Sequence, residues 1–358
     1  EAGFLPLTDR DVNTLWRRMN KTVGRVYLTD IYNVIHSEFV PLFNPFQSYF
    51  DHLPSWDGVS DPIGDLADTV HVKSDQAEFR DYFRKWFVGI LPALLDDTVV
   101  NHEILVLIGE QGLYKTTWFN FLLPPELRCY FYTKTNSDRL NKDDLFSLTE
   151  FALICFEELD GMRPAELNQL KAMVTMPYVN ERAAYGRNKE RHPHIASFCG
   201  TGNNVQFLTD PTGNRRWLPF EVSQIRDPHL HAIPYELVYS QAYALWKSGF
   251  CHWFSQEEIR KLNMHNSRFE VPNLEEDLIR THFRKPFEGE AGIFVTAADI
   301  LEQISSCLRY PLSPNKIGRI MAGLEFESIR YKGKRGYVTV KKTGEDIDRE
   351  RRSGALGL

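Results

Sequence analysis

GEQGLYKT, residues 109–116, brings together the residue types that grip a phosphate chain. It follows the apolar run Ile104 to Ile108 and leads into a helical pattern from Thr117 to Leu123. A buried strand, a glycine-bearing loop and Lys-Thr opening a helix would aim backbone N–H groups and the positive end of a helix dipole at one anion. On this reading Gly109, Glu110, Gln111, Gly112, Leu113, Tyr114, Lys115, Thr116 and Thr117 wrap a nucleotide's phosphates. Lys115 reaches the β and γ phosphates of ATP, and the Thr116 hydroxyl holds Mg²⁺. Tyr114 stands where a second glycine is usual, with Gly112 supplying flexibility nearby. The alternative for the same residues is a strand–turn–helix with a surface lysine.

Such a loop needs acids on a neighbouring strand. FALICFEELD, residues 151–160, supplies them, because Glu157 and Glu158 follow a buried run directly. We assign Glu157 to the metal and Glu158 to the attacking water, with Asp160 in reserve. The alternative is a strand end with solvated acids. The next apolar strand exits through Thr201, Asn203 and Asn204. An amide there can position water or sense the γ-phosphate, although a Gly-Asn turn using positive φ explains the same letters. Arg215 and Arg216 precede another apolar strand. A guanidinium suits transition-state charge on a phosphoryl group, and either arginine could act on a neighbouring subunit's nucleotide. A salt bridge flanking Trp217 is the alternative.

Residues 179–194 carry Arg182, Arg187, Lys189, Arg191, His192 and His194, with Tyr185 interleaved. This composition suits an exposed hairpin or loop whose cations meet phosphates and whose tyrosine stacks on a base. A solvated charged loop is the plain alternative. The two histidines have no partners at metal-ligand spacing.

The elements that must position these groups follow from pattern. The chain has 358 residues, 42 % hydrophobic and 25 % charged, with a formal net charge of −6. It reads as globular, and any nucleic-acid contact must rest on local patches. No membrane-length apolar run or leader pattern is seen. Cys129, Cys155, Cys199, Cys251 and Cys307 lack zinc or redox spacing, which suits a reducing cytoplasm, with Cys155 and Cys199 as core thiols. The chain opens on Glu1 rather than Met, so a fragment of a longer protein is expected.

Residues 1–100 read as a helical region, with an irregular connector at 43–58 and an aromatic helix from Phe79 to Leu95. Residues 101–262 alternate strands and helices, with strands expected at Ile104–Ile108, Phe131–Thr133, Ala152–Phe156, Ile195–Cys199 and Trp217–Glu221. A polar linker or helical connector is expected over 263–292. Residues 293–342 read as two helices and a basic hairpin whose turn spans Lys332 to Gly336, a winged-helix pattern in which Lys334 and Arg335 could contact DNA. A protein-binding wing with a solvated basic hairpin is the alternative. Residues 343–358 read as a disordered tail.

The order GEQGLYKT, CFEELD, LKAMVT with RAAYGR, FCGTGN and DPTGNRRWLPF resembles the virulence-associated protein E family. That family is similar to superfamily 3 helicases and to the helicase halves of primase–helicases from phages and mobile elements. The resemblance is strong over about 100–222 and looser through YFDHLPSWDG. It implies an α/β fold with an ASCE/AAA+-like P-loop NTPase core. It also implies a homo-oligomeric ring, commonly a hexamer, with ATP between subunits and single-stranded DNA in the channel. By position Lys115 and Thr116 match the Walker A residues, Glu157 and Glu158 the Walker B acids, and Asn203 the sensor amide. Arg182 with Arg215 or Arg216 matches arginines that act in trans. The expectation is an ATP-hydrolysing DNA helicase or translocase core serving replication of a phage or mobile element. The alternatives are a nucleotide-dependent DNA-binding switch that unwinds nothing, and a DNA-binding module with a vestigial nucleotide site. A primase domain upstream is expected by family analogy alone.

Overall fold

Every side chain of the run Ile104–Ile108 is apolar, as a strand covered on both faces requires. In the computed structural model that strand lies inside a sheet, and its alternate residues feed two separate cores. The structure describes residues 6–135, 142–181, 189–209, 214–271, 274–287, 289–305, 313–344 and 346. The chain divides into two units, Glu1–Glu270 and Val271–Leu358.

The first unit begins with helices α1 (Asp9–Thr22), α2 (Leu28–Ile35), α3 (Pro45–Asp51) and α4 (Pro62–Ala67). Strand β1 (Val70–Val72) and helix α5 (Gln76–Leu95) come next, then β2 (Ile104–Ile108), α6 (Lys115–Leu122) and β3 (Phe131–Lys134). Then come α7 (Lys142–Glu150), β4 (Leu153–Phe156), α8 (Pro164–Val174), β5 (Tyr178–Glu181) and β6 (Glu190–Pro193). Strands β7 (Ser197–Gly202) and β8 (Trp217–Ile225) and helices α9 (Tyr235–Lys247) and α10 (Gln256–Asn266) complete the unit.

The main sheet has the order β1-β8-β2-β7-β4-β3. From β8 to β3 all neighbours are parallel, and β1 joins antiparallel. Leu105, Leu107, Cys155, Cys199 and Phe220 enter one core together with Phe79, Phe83, Trp86 and Phe87 of α5. Ile104, Val106, Ile108, Phe156, Phe198 and Trp217 enter the other, beneath α8. Full burial of each such side chain contributes about 1.5–3 kcal/mol before conformational entropy is charged against it. All five expected strands form, with β7 and β8 running further toward their C-terminal ends than expected.

Two expectations are corrected in this unit. The stretch 43–58 is not wholly irregular, because it contains α3. Pro45 opens that helix with its φ preset, and the Asn44 side chain accepts from the amides of Phe46 and Gln47 at 3.0 Å each. The polar stretch from Asn263 is not a free connector either. It closes α10, where His265 and Asn266 are buried and Asn266 Nδ2 donates to the carbonyls of Asn214 and Trp217. Here polarity serves to satisfy buried backbone oxygens.

The second unit contains α11 (Leu274–His282), β9 (Phe283–Arg284), β10 (Ile293–Val295), α12 (Ala297–Ser305), α13 (Pro314–Gly323), β11 (Ser328–Tyr331) and β12 (Lys334–Lys341). Strand β12 lies between β10 and β11 and also pairs with β9. Thr296 and Ser313 cap α12 and α13 with their hydroxyls. The hairpin turn is shorter than expected. Lys332 and Gly333 alone make it, at φ 47° and 78°. Two positive φ values give the tight turn that matches strand twist, so Lys334 and Arg335 belong to β12. No helix among the described residues is long and apolar enough to cross a membrane.

Candidate nucleotide site

Sheet register decides which distant residues meet. Ile108 pairs with Gly202, and Phe156 pairs with Gly200. Strands β2, β4 and β7 therefore end along one edge, and Gly109, Glu157 and Asn203 leave the sheet side by side. In open α/β sheets the crevice beyond the strands' carboxyl ends is where ligands bind. A cleft of about 440 Å³ opens there, lined by Gln111 to Thr117, Glu157, Glu158, Thr201 and Asn203.

The loop's shape is fixed by contacts that the sequence anticipates only in part. The Gly109 N–H donates to the Gly202 carbonyl at 3.1 Å. A Cβ at Gly109 would lie 2.9 Å from the Val222 carbonyl oxygen, so backbone alone fits. Gly112 takes φ +88°. Tyr114 adopts the left-handed region, φ 60° and ψ 18°, and caps α6 with no side-chain hydrogen bond. That conformation is why glycine is usual at this position, and tyrosine holds it at a cost of about 1–2 kcal/mol. Helix α6 is anchored beneath by Trp118 and Phe119, which are buried, and by Trp118 Nε1 donating to Thr69 Oγ1 at 2.8 Å.

Lys115 is 8 % exposed. Its ammonium donates to the carbonyls of Gly109 at 2.6 Å and Glu110 at 2.7 Å, and to Asn203 Oδ1 at 3.4 Å. Burial holds it below the ordinary lysine range, and the Asp160 carboxylate pulls the other way. Thr116 Oγ1 donates to Glu157 Oε1 at 2.8 Å, which joins residues 41 positions apart. Glu158 also has left-handed backbone, φ 55°, so the chain reverses immediately after the second acid.

Asp160, the acid held in reserve, is engaged by backbone amides and is not among the cleft-lining residues named above. Its two carboxylate oxygens accept from the backbone amides of Asn203 at 3.1 Å and Asn204 at 3.0 Å. The glycines of FCGTGN are not at positive φ. A Cβ at Gly200 would run into Leu159 Cδ1, and one at Gly202 would crowd Asp160 Oδ1 at 3.0 Å. The spacing of these glycines was the sequence signal for the clamp, and the turn reading missed it.

The arginines do not join this cleft. Arg215 and Arg216 form the single turn before β8, whose first residue Trp217 pairs with Ile104 at the start of β2. They lie at the opposite edge of the sheet, about 15 Å of strand from their own loop. Arg182 and Arg187, with Tyr185, fall outside the described residues. Strands β5 and β6 make an antiparallel hairpin, as the 179–194 composition suggested. Lys189 is exposed, and the Arg191 guanidinium stacks over Tyr178 at 3.4 Å from the ring centroid. At the hairpin root His194 is buried, with Nδ1 donating to the Met176 carbonyl at 2.7 Å. Lys334 and Arg335 are exposed on β12, where Arg335 Nε donates to Ser328 Oγ at 3.0 Å.

The family model described as the Virulence-associated protein E-like domain matches residues 51–271 of this chain. The chain belongs to the virulence-associated protein E-like family. The matched span takes in the cleft, Glu157, Glu158 and the loop of Asn203. The family's core therefore coincides with the first unit's sheet. No curated protein matches the chain. Among solved structures, the apo C-terminal region of NrS-1 is similar at 13 % identity and a TM-score of 0.49, over 92 % of this chain and 90 % of that chain. Its A form matches at 14 % identity and a TM-score of 0.43, over 81 % and 78 %.

Proposed function

We propose that this virulence-associated protein E-like chain is the ATP-hydrolysing core of a DNA translocase or helicase acting in the replication of a phage or mobile element. One observation carries the reading: Lys115, Thr116, Glu157, Glu158 and Asn203, spread over 89 positions of sequence, line a single cleft. A strand between the loop strand and the acid strand, as β7 is here, supports an ASCE-type P-loop core. The hydroxyl of Thr116 and the carboxylate of Glu157 are hard oxygen donors within 2.8 Å of each other, a donor set that suits Mg²⁺. Bound there, Mg²⁺ would neutralise charge on the β and γ phosphates.

The chain's own groups divide the remaining work. The uncapped amides at the start of α6 and around Gly112 receive phosphate oxygens. Lys115 exchanges the loop carbonyls it now contacts for the β and γ phosphates. Glu158 takes a proton from the attacking water, and Asn203 fixes that water or the γ-phosphate. Arg215 and Arg216 lie at the far end of the strands from their own cleft, which suits service to an adjacent subunit in a ring. The β5–β6 hairpin, with Lys189 and Arg191, and the wing of the winged-helix-like second unit, with Lys334 and Arg335, supply cations for single-stranded DNA.

Tyr114 favours a second reading, a nucleotide-dependent DNA-binding switch with slow turnover, because its bulk sits where phosphates approach the backbone. Strand separation on a forked duplex distinguishes the two. The experiment for the main reading is ATPase activity with and without single-stranded DNA. Lys115→Ala should lower kcat by about 10²–10³-fold, and full activity in that variant would overturn the assignment.

A further inference from the structure

We infer that Asp160 is a positioning residue that couples the turn bearing Glu157 and Glu158 to the loop bearing Asn203. The inference rests on the ATPase reading above and adds a residue to it. Asp160 touches neither of the two groups that line the metal position, Thr116 and Glu157, yet both of its oxygens are committed. They accept the successive amides of Asn203 and Asn204 at 3.1 and 3.0 Å. Hydrogen bonds to an ionised acceptor are stronger than neutral ones, and two on adjacent amides fix a peptide plane as well as a position.

The surrounding chain is built for this contact. Left-handed Glu158 turns the chain back over the end of β7. The Gly161 amide closes the turn on the Glu158 carbonyl at 2.9 Å. Leu159 is buried against Gly200, where a Cβ would run into it, and Asp160 lies close against Gly202, where a Cβ would crowd its carboxylate. The acid turn and the sensor loop thus move as one body. Asn203 Oδ1 in turn meets the Lys115 ammonium at 3.4 Å. A shift of the acids on binding or hydrolysis is therefore delivered to Asn203 through the Asp160 clamp, by a path separate from the Thr116–Glu157 contact.

The test is a double-mutant cycle in ATPase assays on the full chain, with Asp160→Ala, Asn203→Ala and the double variant measured beside wild type. Asp160→Ala should lower kcat by about 10²-fold, the loss a displacement of about 1 Å produces. KM for ATP should change by less than kcat, because Asp160 reaches the phosphate loop only at Lys115, through its charge and through Asn203. The double variant should be no slower than Asn203→Ala alone, since both changes remove one function. Asp160→Asn keeps one acceptor oxygen and should recover part of kcat. Its Tm controls for misfolding, because a variant that melts like wild type and still loses kcat has lost positioning. Wild-type kcat in Asp160→Ala, or losses that multiply in the double variant, would overturn the coupling while leaving the ATPase reading intact. A wild-type chain without ATPase activity would remove both.

Discussion

Replacing Tyr114 by glycine and, separately, by alanine tests the loop geometry through the sign of a difference. Both variants lose the same ring, which is 42 % exposed, so its contribution cancels in the comparison. What remains is the backbone at φ 60°. An L-residue pays about 1–2 kcal/mol there and glycine pays nothing. Glycine gives back about 0.5–1 kcal/mol through the greater freedom of its unfolded chain. The balance leaves Tyr114→Gly more stable than Tyr114→Ala by about 0.5–1 kcal/mol. In a helix or strand the order would be reversed. For a domain of this size the gap is about 1–3 °C in Tm, measurable by thermal melting of the two proteins in parallel. Equal melting points, or a more stable alanine variant, would refute a left-handed residue in this loop. The glycine variant should also bind ATP at least as tightly as wild type, since it removes bulk beside the phosphates.

Other perturbations report on separate parts of the account. Burial pushes His194 down to about 4, against about 6.5 in an unfolded chain. The unfolded chain therefore takes up the proton first, so this stability is complete above about pH 6.5 and is lost as pH falls toward 4, by about 3 kcal/mol in all. His194→Asn, which keeps a donor for the Met176 carbonyl but does not titrate, should show a smaller fall in Tm between pH 7.5 and pH 4.5 than wild type in buffers chosen for about those values; an identical fall would place the acid sensitivity elsewhere. If Arg215 and Arg216 act across subunits, then Lys115→Ala and Arg215→Ala/Arg216→Ala proteins, each inactive alone, should regain ATPase activity when mixed. Failure to complement, with mixed assembly demonstrated, would count against trans action. Lys189→Ala and Arg191→Ala should each reduce the slope of log affinity for single-stranded DNA against log salt by about one; an unchanged slope would show that the hairpin does not touch phosphates.

Much of the site was legible in the sequence because its chemistry is local. The loop, the paired acids and the amide each announce themselves by residue type at a strand end, and the parallel order of the strands then brings them together. The alternation within Ile104–Ile108 was equally legible, since a strand apolar at every position can only be covered on both sides. What escaped was set by contacts between segments far apart in sequence. The clamp of Asp160 on Asn203 and Asn204 depends on packing across β7, and the alternative of a Gly-Asn turn after β7 arose because smallness and positive φ leave the same letter at Gly202. Asn266 was read as connector because a polar residue that satisfies buried carbonyls looks, in sequence, like one that faces water. The hairpin was legible but its two-residue turn at Lys332 and Gly333 was not, because lysine carries no outward sign that it will adopt positive φ.

The central claim is tested most directly by calorimetric titration of a slowly hydrolysed ATP analogue, with and without Mg²⁺, into wild type, Lys115→Ala and Thr116→Val. The account predicts that wild type binds more tightly with Mg²⁺, that Lys115→Ala binds weakly under both conditions, and that Thr116→Val loses the Mg²⁺ enhancement while retaining metal-free binding. Undiminished affinity in Lys115→Ala, together with an intact Mg²⁺ effect in Thr116→Val, would contradict it.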